Sequence, residues 1–388
     1  MSRRTGIYIA IMVLTLGWYA LPSAAFQSES GWVDLFNGKH LWGWTAMHDA
    51  ELKINREENS LSFLNGAGWV CSDQLYDDFI LMFQSRVQSG STNALLFFRA
   101  GPEGESIPDE GYRISLGGQN MGSLDCEEET LIGDKNSRGK PDEWTQWILT
   151  VEGKKATLMM DGQRLWTAEK LRSGRGLLGF HPLSGGLEIR NIRIREIGYT
   201  DLIAGWPEKS ELTIRSGDSD AWKYENDGEL RCTKDGGWLG TRASDYGNFD
   251  LKIEYLVPVN GNSGVFIRYP GEGTSAYTGM EVQVIDDDAT KWELEEWQKC
   301  GAIYHEIPPS VRATRKAGTW QTMEIICDGS FVRIYINGVQ ITNVDLDQCT
   351  ESHSDAASLK DRPRVGYIGF QNYGGSGVAY RNVRVKRL

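Results

Sequence analysis

Apolar and polar residues alternate with a period of two along much of this 388-residue chain. In residues 249–255 every second side chain is apolar, as expected of a strand with one face in a hydrophobic core. Four more stretches follow the same pattern: residues 263–268, 281–285, 322–327 and 331–336. Asp328-Gly329 and Asn337-Gly338 are typical hairpin turns. Helical periodicity occurs only briefly, within residues 288–299. The pattern predicts an all-β fold.

The strand pattern occurs twice. Asn93 stands six residues before Arg99 in the first half, and Asn262 stands six residues before Arg268 in the second. The other repeated features are Trp144 and Trp320, the turns at Asp161 and Asn337, Phe180 and Phe370, and the closing strands from Arg190 and Arg381. A repeat of this length indicates two whole domains rather than a solenoid. We expect two tandem jelly-roll β-sandwiches, at residues 30–197 and 205–388.

The first 25 residues have the features of a secretory signal peptide. Arg3 and Arg4 precede an apolar run, and Ser23-Ala24-Ala25 supplies small residues for cleavage. The run is too short to be a comfortable membrane span, and no later segment is long and apolar enough to be one. We therefore expect an exported protein, periplasmic or secreted, that begins near Phe26 after cleavage.

Composition narrows the range of partners. The formal net charge is −12 with no basic stripe, which argues against nucleic acid, whose phosphates require cationic side chains. The six cysteines show no spacing typical of a zinc site. Export permits disulfides, but the sequence does not determine whether any form or how they pair. The oligomeric state is likewise open.

Seven segments of the second half carry distinctive motifs, beginning at Trp222 (WKYENDGEL), Gly237 (GWLGT), Tyr246 (YGNFDLKIEY), Gly261 (GNSGVFIR), Gly279 (GMEVQVID), Gly301 (GAIYHEIPPS) and Gly318 (GTWQTMEI). Together they resemble the 3-keto-disaccharide hydrolase domain family. In the first half, the segment from Leu35 (LFNGKHLWGW) is similar to the family's opening, but the middle departs from its pattern. The resemblance implies concanavalin A-like jelly rolls that act on carbohydrate, with any activity in the second copy.

Glu281 is our candidate catalytic base. Residues two apart on a strand share a face, so Glu281 and Gln283 should project together. The spacing Glu-x-Gln-x-x-Asp, ending at Asp286, is similar to the carboxylate strand of laminarinase-like glycosidases, with one acid replaced by an amide. Asp286 would need a β-bulge to reach the same face. The alternative is a polar strand facing solvent.

Three more polar residues of the second copy are candidates. Glu254 lies mid-strand, and Arg268 would keep a neighbouring carboxylate ionised or donate to a substrate oxygen. Because Arg268 and Asn262 both have counterparts in the first copy, each has a structural alternative: an ion-pair scaffold for Arg268 and a turn for Asn262.

A segment of about residues 287–315 follows the Glu281 strand, and we interpret it as an insertion that forms one wall of the site. Tyr304 is a candidate ligand there, and His305 a candidate proton donor. Trp292 suits stacking on a sugar face or packing against the sheet. The acids at 286–288 suit a solvated turn or a structural calcium ion, and we expect no other cofactor.

Three functions remain open: glycoside cleavage, glycan binding and a purely structural role in the cell envelope. In the first, the second domain cleaves small 3-keto-disaccharides or related oxidised glycosides, because a C3 ketone acidifies the C2 hydrogen and makes the anomeric group a β-leaving group. Glu281 would be the base, and Arg268 or His305 the donor for the enolate oxygen. In the alternative, the protein is a non-catalytic, lectin-like glycan-binding protein of the cell envelope, since fold does not fix function.

Overall fold

The computed structural model describes residues 31–64, 68–88, 94–127, 129–133, 140–183, 186–225, 228–234 and 236–388. The expected signal peptide, residues 1–25, and Asn93 lie outside these ranges. Strands make up nearly all of the regular structure, and every strand pairing is antiparallel. The all-β prediction is confirmed.

The first half of the chain forms a two-sheet sandwich. Its strands are β1 Trp32–Asp34, β2 Trp44–Met47, β3 Leu52–Asn55, β4 Ser60–Phe63, β5 Trp69–Ser72, β6 Phe79–Val87, β7 Leu95–Ala100, β8 Tyr112–Ser115, β9 Leu124–Cys126, β10 Glu129–Ile132, β11 Thr145–Glu152, β12 Lys155–Met160, β13 Gln163–Ala168, β14 Leu177–His181 and β15 Leu187–Glu196. One sheet has the order β13-β12-β11-β6-β15-β4-β3, with β1 also paired to β15, and the other has the order β10-β9-β8-β7-β14-β5-β2.

The second half forms another sandwich. Its strands are β16 Thr200–Asp201, β17 Leu212–Ser216, β18 Trp222–Tyr224, β19 Leu230–Cys232, β20 Trp238–Thr241, β21 Phe249–Leu256, β22 Asn262–Tyr269, β23 Met280–Ile285, β24 Trp320–Asp328, β25 Phe331–Ile336, β26 Val339–Asp345, β27 Tyr367–Gln371 and β28 Ala379–Arg387. One sheet has the order β18-β19-β28-β21-β24-β25-β26, with β16 paired to β28, and the other has the order β17-β20-β27-β22-β23.

The two sandwiches share one topology. Strand for strand, β26-β25-β24-β21-β28-β19-β18 repeats β13-β12-β11-β6-β15-β4-β3, and β17-β20-β27-β22-β23 repeats β2-β5-β14-β7-β8. Each is a concanavalin A-like jelly roll, as the resemblance implied. The second sandwich starts earlier than residue 205, because Thr200 and Asp201 already pair with its closing strand.

The alternation of apolar and polar residues predicted the ends of these strands to within a few residues. Leu251 and Ile253 of β21 lie in the core of the second sandwich together with Val265 of β22 and Val282 of β23. At the hairpin after β25, Asn337 and Gly338 both have positive φ, at 49° and 78°, which is the geometry that Asn-Gly favours. The predicted helix at 288–299 is reduced to one 3-10 turn, Glu296–Gln298; the other helical segments are α1 (Ser275–Thr278) and 3-10 turns at Leu346–Gln348 and Leu359–Asp361.

A buried cluster of charges joins the sandwiches. Lys252 of β21 and Arg384 of β28 both form ion pairs with Glu196, the last residue of β15. Burial alone would raise the pKa of Glu196, but the two cations outweigh it and lower that pKa. A second pair joins Arg175 of the first domain to Glu324 of the second. The outer face of the second domain's larger sheet therefore contacts the first domain.

The six cysteines all lie within the described ranges, and each is a free thiol. In the same ranges, no helix is both long and apolar enough to cross a membrane.

Candidate functional site

The candidate site lies on the outer face of the smaller sheet of the second domain, around Glu281. The side chains of Val282 and Val284 enter the core, so Glu281 and Gln283, which alternate with them on β23, point to the opposite face. The structure thus shows the shared face expected for these two residues. Both are nevertheless 4% exposed, because other segments cover this edge of the sheet.

Glu281 is a buried carboxyl that the surrounding protein leaves unpaired. Among the described residues no side chain or backbone group hydrogen-bonds to it or forms an ion pair with it. Burial is the one cause that raises its pKa, to about 8. A buried acid without a partner costs stability, and such groups concentrate at functional sites.

Gly264 on the neighbouring strand makes room for this carboxyl. A methyl group built on Gly264 would overlap Oε1 of Glu281. In the first domain the register of β7 and β8 places Leu95 where Gly264 stands and Arg113 where Glu281 stands. Leu95 is buried in a separate apolar cluster with Trp69 and other residues. The first domain therefore fills with hydrocarbon the space that holds the carboxyl in the second.

The segment around Tyr304 covers the free edge of β23. The Tyr304 N–H donates to the Glu281 carbonyl at 2.9 Å, and Ile303 forms a bridge with Val282. Expecting an insertion here was wrong: the first domain has a connection of similar length, but there β9 and β10 extend the sheet beside β8. In the first domain this connection forms a pair of strands, whereas in the second domain it is mostly irregular backbone.

Aromatic side chains surround the site. The rings of Tyr304 and His305 lie 4.5 Å apart between centroids, and Tyr277 of α1 lies 6.2 Å from His305. Burial raises the pKa of Tyr304, and a hydrogen bond with the Gln298 side chain partly opposes this; Tyr277, Glu281 and Tyr373 raise that pKa further. Tyr304 therefore stays a protonated hydroxyl donor at neutral pH.

Trp292 lies beside Tyr373. Its ring is 6.5 Å from that of Tyr373 in an edge-to-face arrangement, and it packs partly against the core. Tyr373 is 49% exposed. Packing and ligand stacking are therefore both compatible with the position of Trp292, because its ring is only partly covered.

The structure does not bring Glu254 or Arg268 to Glu281, so the expected convergence of these residues is wrong. Glu254 lies on the outer face of the other sheet, where its carboxylate accepts from Arg381 and Asn382, both at 2.7 Å. Arg268 is fully buried, and its Nε donates to the Gly247 carbonyl at 2.8 Å. Alternation along the strands did not show that β21 and β23 belong to different sheets.

Asn262 and Asp286 have local structural contacts. Asn262 begins β22, and its carbonyl accepts from the Ser376 hydroxyl at 2.7 Å. Asp286 accepts from the backbone N–H groups of Asn260 and Asp288, at 2.9 and 3.1 Å, so it closes a turn and does not join Glu281. Asp287 is likewise occupied, by the Cys300 N–H and the Thr314 hydroxyl.

The described residues contain no group of three or more His, Cys, Asp or Glu side chains placed to hold a metal ion. The acids at 286–288 instead accept hydrogen bonds from nearby donors, including both terminal nitrogens of Arg312 on Asp288. The arrangement suits proton transfer by one carboxyl, with the Tyr304 hydroxyl near it and the His305 imidazole beside Tyr304.

The sequence analysis missed Gly264, Tyr277 and Tyr373. A signal for Gly264 was present, because the aligned repeats have Leu95 at the equivalent position of the first domain. No such signal marks Tyr277 and Tyr373, which come from segments distant along the chain.

Solved structures with similarity to the chain come from several proteins. Two are proteins from Parabacteroides distasonis proposed to be glycosyl hydrolases, each 26% identical, with TM-scores of 0.44 and 0.43; both cover 49% of this chain, and 99% and 94% of their own. A carbohydrate-binding module (CBM66) from Bacillus subtilis is 14% identical with a TM-score of 0.35, covering 40% of this chain and 96% of its own. A comparison with curated proteins gives no match.

The sequence profile of one family, described as the 3-keto-alpha-glucoside-1,2-lyase-like domain, matches residues 31–195 and again residues 201–386. These two segments coincide with the two sandwiches, and together they include Glu281 and its counterpart Arg113. The chain thus belongs to the 3-keto-alpha-glucoside-1,2-lyase-like family and carries two copies of its domain.

Proposed function

We propose that this protein is exported and cleaves the glycosidic bond of small 3-keto-glycosides at the Glu281 site of its second domain. The observation that carries the proposal is the unpaired, buried carboxyl of Glu281, whose pKa burial raises to about 8. A carboxylate with a pKa near the working pH is a much stronger base than an ordinary one, yet it is still ionised in part of the molecules.

The reaction begins with proton abstraction. Glu281 takes the C2 hydrogen, which the neighbouring C3 ketone acidifies, and the C2–H electron pair forms the enolate. The enolate electrons then form the C1–C2 double bond as the C1–oxygen bond breaks and the leaving oxygen takes up a proton. Addition of water across the double bond would complete a net hydrolysis. Tyr304 and His305, which lie in the segment paired with β23 at Glu281, are the proposed donors.

This chemistry requires one base and hydrogen-bond donors, so we propose no metal or organic cofactor. Among the described residues no cation acts on Glu281, which is consistent with an uncharged sugar ligand. In the first domain Leu95 and Arg113 replace the glycine and the carboxyl, so we assign the activity to the second domain alone.

The test is incubation of the purified protein with 3-keto-trehalose or 3-keto-lactose, following release of free sugar. Glu281→Gln keeps the side-chain volume but removes the base, so turnover should fall about 100-fold or more. Ser115→Ala, at the position in the first domain that matches Gln283, is the matched control and should retain turnover. Full activity in Glu281→Gln would refute the assignment.

A second candidate function is glycan binding without cleavage, which the half-exposed ring of Tyr373 beside Trp292 favours. In that case the wild-type protein and Glu281→Gln would bind 3-keto-disaccharides equally, and neither would release sugar. Tyr373→Ala would then weaken binding.

Export rests on the signal-like residues 1–25. N-terminal sequencing of the protein recovered from the producing cells should give Phe26 at or near the start. Retention of Met1 would overturn this part of the proposal.

A further inference from the structure

A buried ion pair, Arg362 with Glu306, links the segments that carry Tyr277, Tyr304 and His305. We call these three aromatic residues the wall of the site. The two side chains are 1% and 2% exposed, and Nη2 of Arg362 contacts Oε1 of Glu306. Pairs buried this deeply give little net stability because desolvation offsets their attraction. In some proteins such pairs instead fix one arrangement of the groups that they bond.

Arg362 holds the segment that leads into β23. Its Nη1 donates to the carbonyls of Ala276 and Gly279 at 2.8 and 3.2 Å, on either side of Tyr277. Its Nε donates to the carbonyl of Ala357 at 2.9 Å. One guanidinium thus connects the α1 segment to the loop that precedes β27.

Glu306 holds the segment on the other edge of the site. It directly follows Tyr304 and His305 in the sequence, and its Oε1 accepts from the hydroxyls of Ser352 and Ser354 at 2.7 and 3.1 Å. The pair therefore joins both segments that flank Glu281, one through Arg362 and the other through Glu306.

We propose that the Arg362–Glu306 pair is the positioning element of the candidate site, holding Tyr277, Tyr304 and His305 in place against Glu281. The inference rests on the proposed function for its catalytic consequence, but its geometric content does not depend on turnover. Neither residue touches Glu281 in the described structure, so both act through the segments that they connect.

The Arg362–Glu306 pair would affect Glu281 by controlling how much water reaches its carboxyl. The charge of Glu281 acts on two phenols, those of Tyr304, on the neighbouring segment, and Tyr380, on β28. Neither provides a counter-charge, and burial alone raises the pKa of Glu281. Loosening the wall admits water and must lower that pKa toward its ordinary value.

The experiment is the Arg362→Lys variant, which keeps the positive charge but lacks the planar set of donors that reaches Ala276 and Gly279. We expect cooperative unfolding to persist, the pKa of Glu281 measured by carbon NMR of the carboxyl to fall by about one unit or more, and kcat to fall about 10-fold. Arg364→Lys, two residues away with a side chain 30% exposed, is the control and should change neither quantity.

Ser352→Ala, which removes one donor to Glu306, provides a second variant should Arg362→Lys fail to fold. It should lower the same pKa by a smaller amount. An unchanged Glu281 pKa in every folded variant would overturn the positioning role, even if Glu281→Gln is inactive. A lowered Glu281 pKa in a protein that releases no sugar would instead leave the positioning role standing and refute the proposed function.

Discussion

Arg99 and Arg268 occupy the same position in the two domains, each with a left-handed backbone at φ 49° and 50°. Each is the buried arginine near the end of its strand, and each guanidinium bonds to the turn before the central strand of the opposite sheet. Arg99 reaches Asp77 and Asp78, and Arg268 reaches the Gly247 carbonyl at 2.8 Å. The repeat of this contact in both domains, only one of which has the Glu281 site, identifies it as part of the scaffold.

Arg268→Met should therefore affect folding more than chemistry. The variant keeps most of the side-chain length but leaves the Gly247 carbonyl without its donor, so we expect the free energy of unfolding to fall by about 1–3 kcal/mol. Urea unfolding measures this loss, and kcat per folded molecule should stay near the wild-type value. A large fall in kcat with an unchanged free energy of unfolding would instead indicate a catalytic role for Arg268.

Gly264→Ala should remove activity without unfolding the protein. The added methyl would overlap Oε1 of Glu281, and a carboxyl at the end of a flexible side chain moves more easily than the backbone. We expect turnover to fall at least 10-fold, since misplacing a reacting group by about 1 Å costs about 100-fold. Gly133→Ala, where nothing lies within 4 Å, is the control for a glycine substitution, and equal turnover in both variants would contradict this account.

Glu281→Gln should stabilise the protein at alkaline pH. The pKa of Glu281 rises from 4.5 to about 8 on folding. The wild-type free energy of unfolding is therefore unaffected by this group below pH 4.5 and decreases as pH rises from there to about 8. Glutamine does not ionise, and the variant should gain up to several kcal/mol at pH 8.5, at about 1.4 kcal/mol per pKa unit. Urea unfolding at pH 4 and pH 8.5 measures the gain, which should vanish at pH 4.

Activity should depend on pH in the opposite sense. If Glu281 is the base, kcat/KM should rise as its carboxyl ionises and level off above about pH 8. A pH–rate profile on 3-keto-trehalose measures the midpoint. An activity that falls through this pH range would instead assign Glu281 the role of a general acid.

Glu196→Gln should separate or unfold the two domains. It removes the carboxylate that Lys252 and Arg384 share, which leaves the buried Arg384 without a carboxylate partner among the described residues and Lys252 with the more distant Glu324, at 3.9 Å; we expect a cost of about 3–5 kcal/mol. Thermal unfolding measures the loss. Asp245→Asn breaks an exposed pair with Arg387 and should change stability by less than about 1 kcal/mol; an equal effect of both variants would contradict the importance of the buried cluster.

Much of the fold was determined by the sequence itself. A period of two places apolar residues on one face of many strands, so 249–255 and 281–285 could be identified as strands without knowing their partners. The repeated order of strands predicted two equivalent sandwiches, and alternation along the strand from Glu281 made that residue a candidate. These features depend on local spacing, which the sequence contains in full.

The composition of the site was decided only by the tertiary structure. Glu254 and Glu281 look alike as polar residues of alternating strands, yet β21 and β23 lie in different sheets and the first domain covers one of the two outer faces. The same holds for the high pKa of Glu281 and for the Arg362–Glu306 pair. Burial and counter-charge come from segments far apart in the chain, and alternation along one strand carries no information about them.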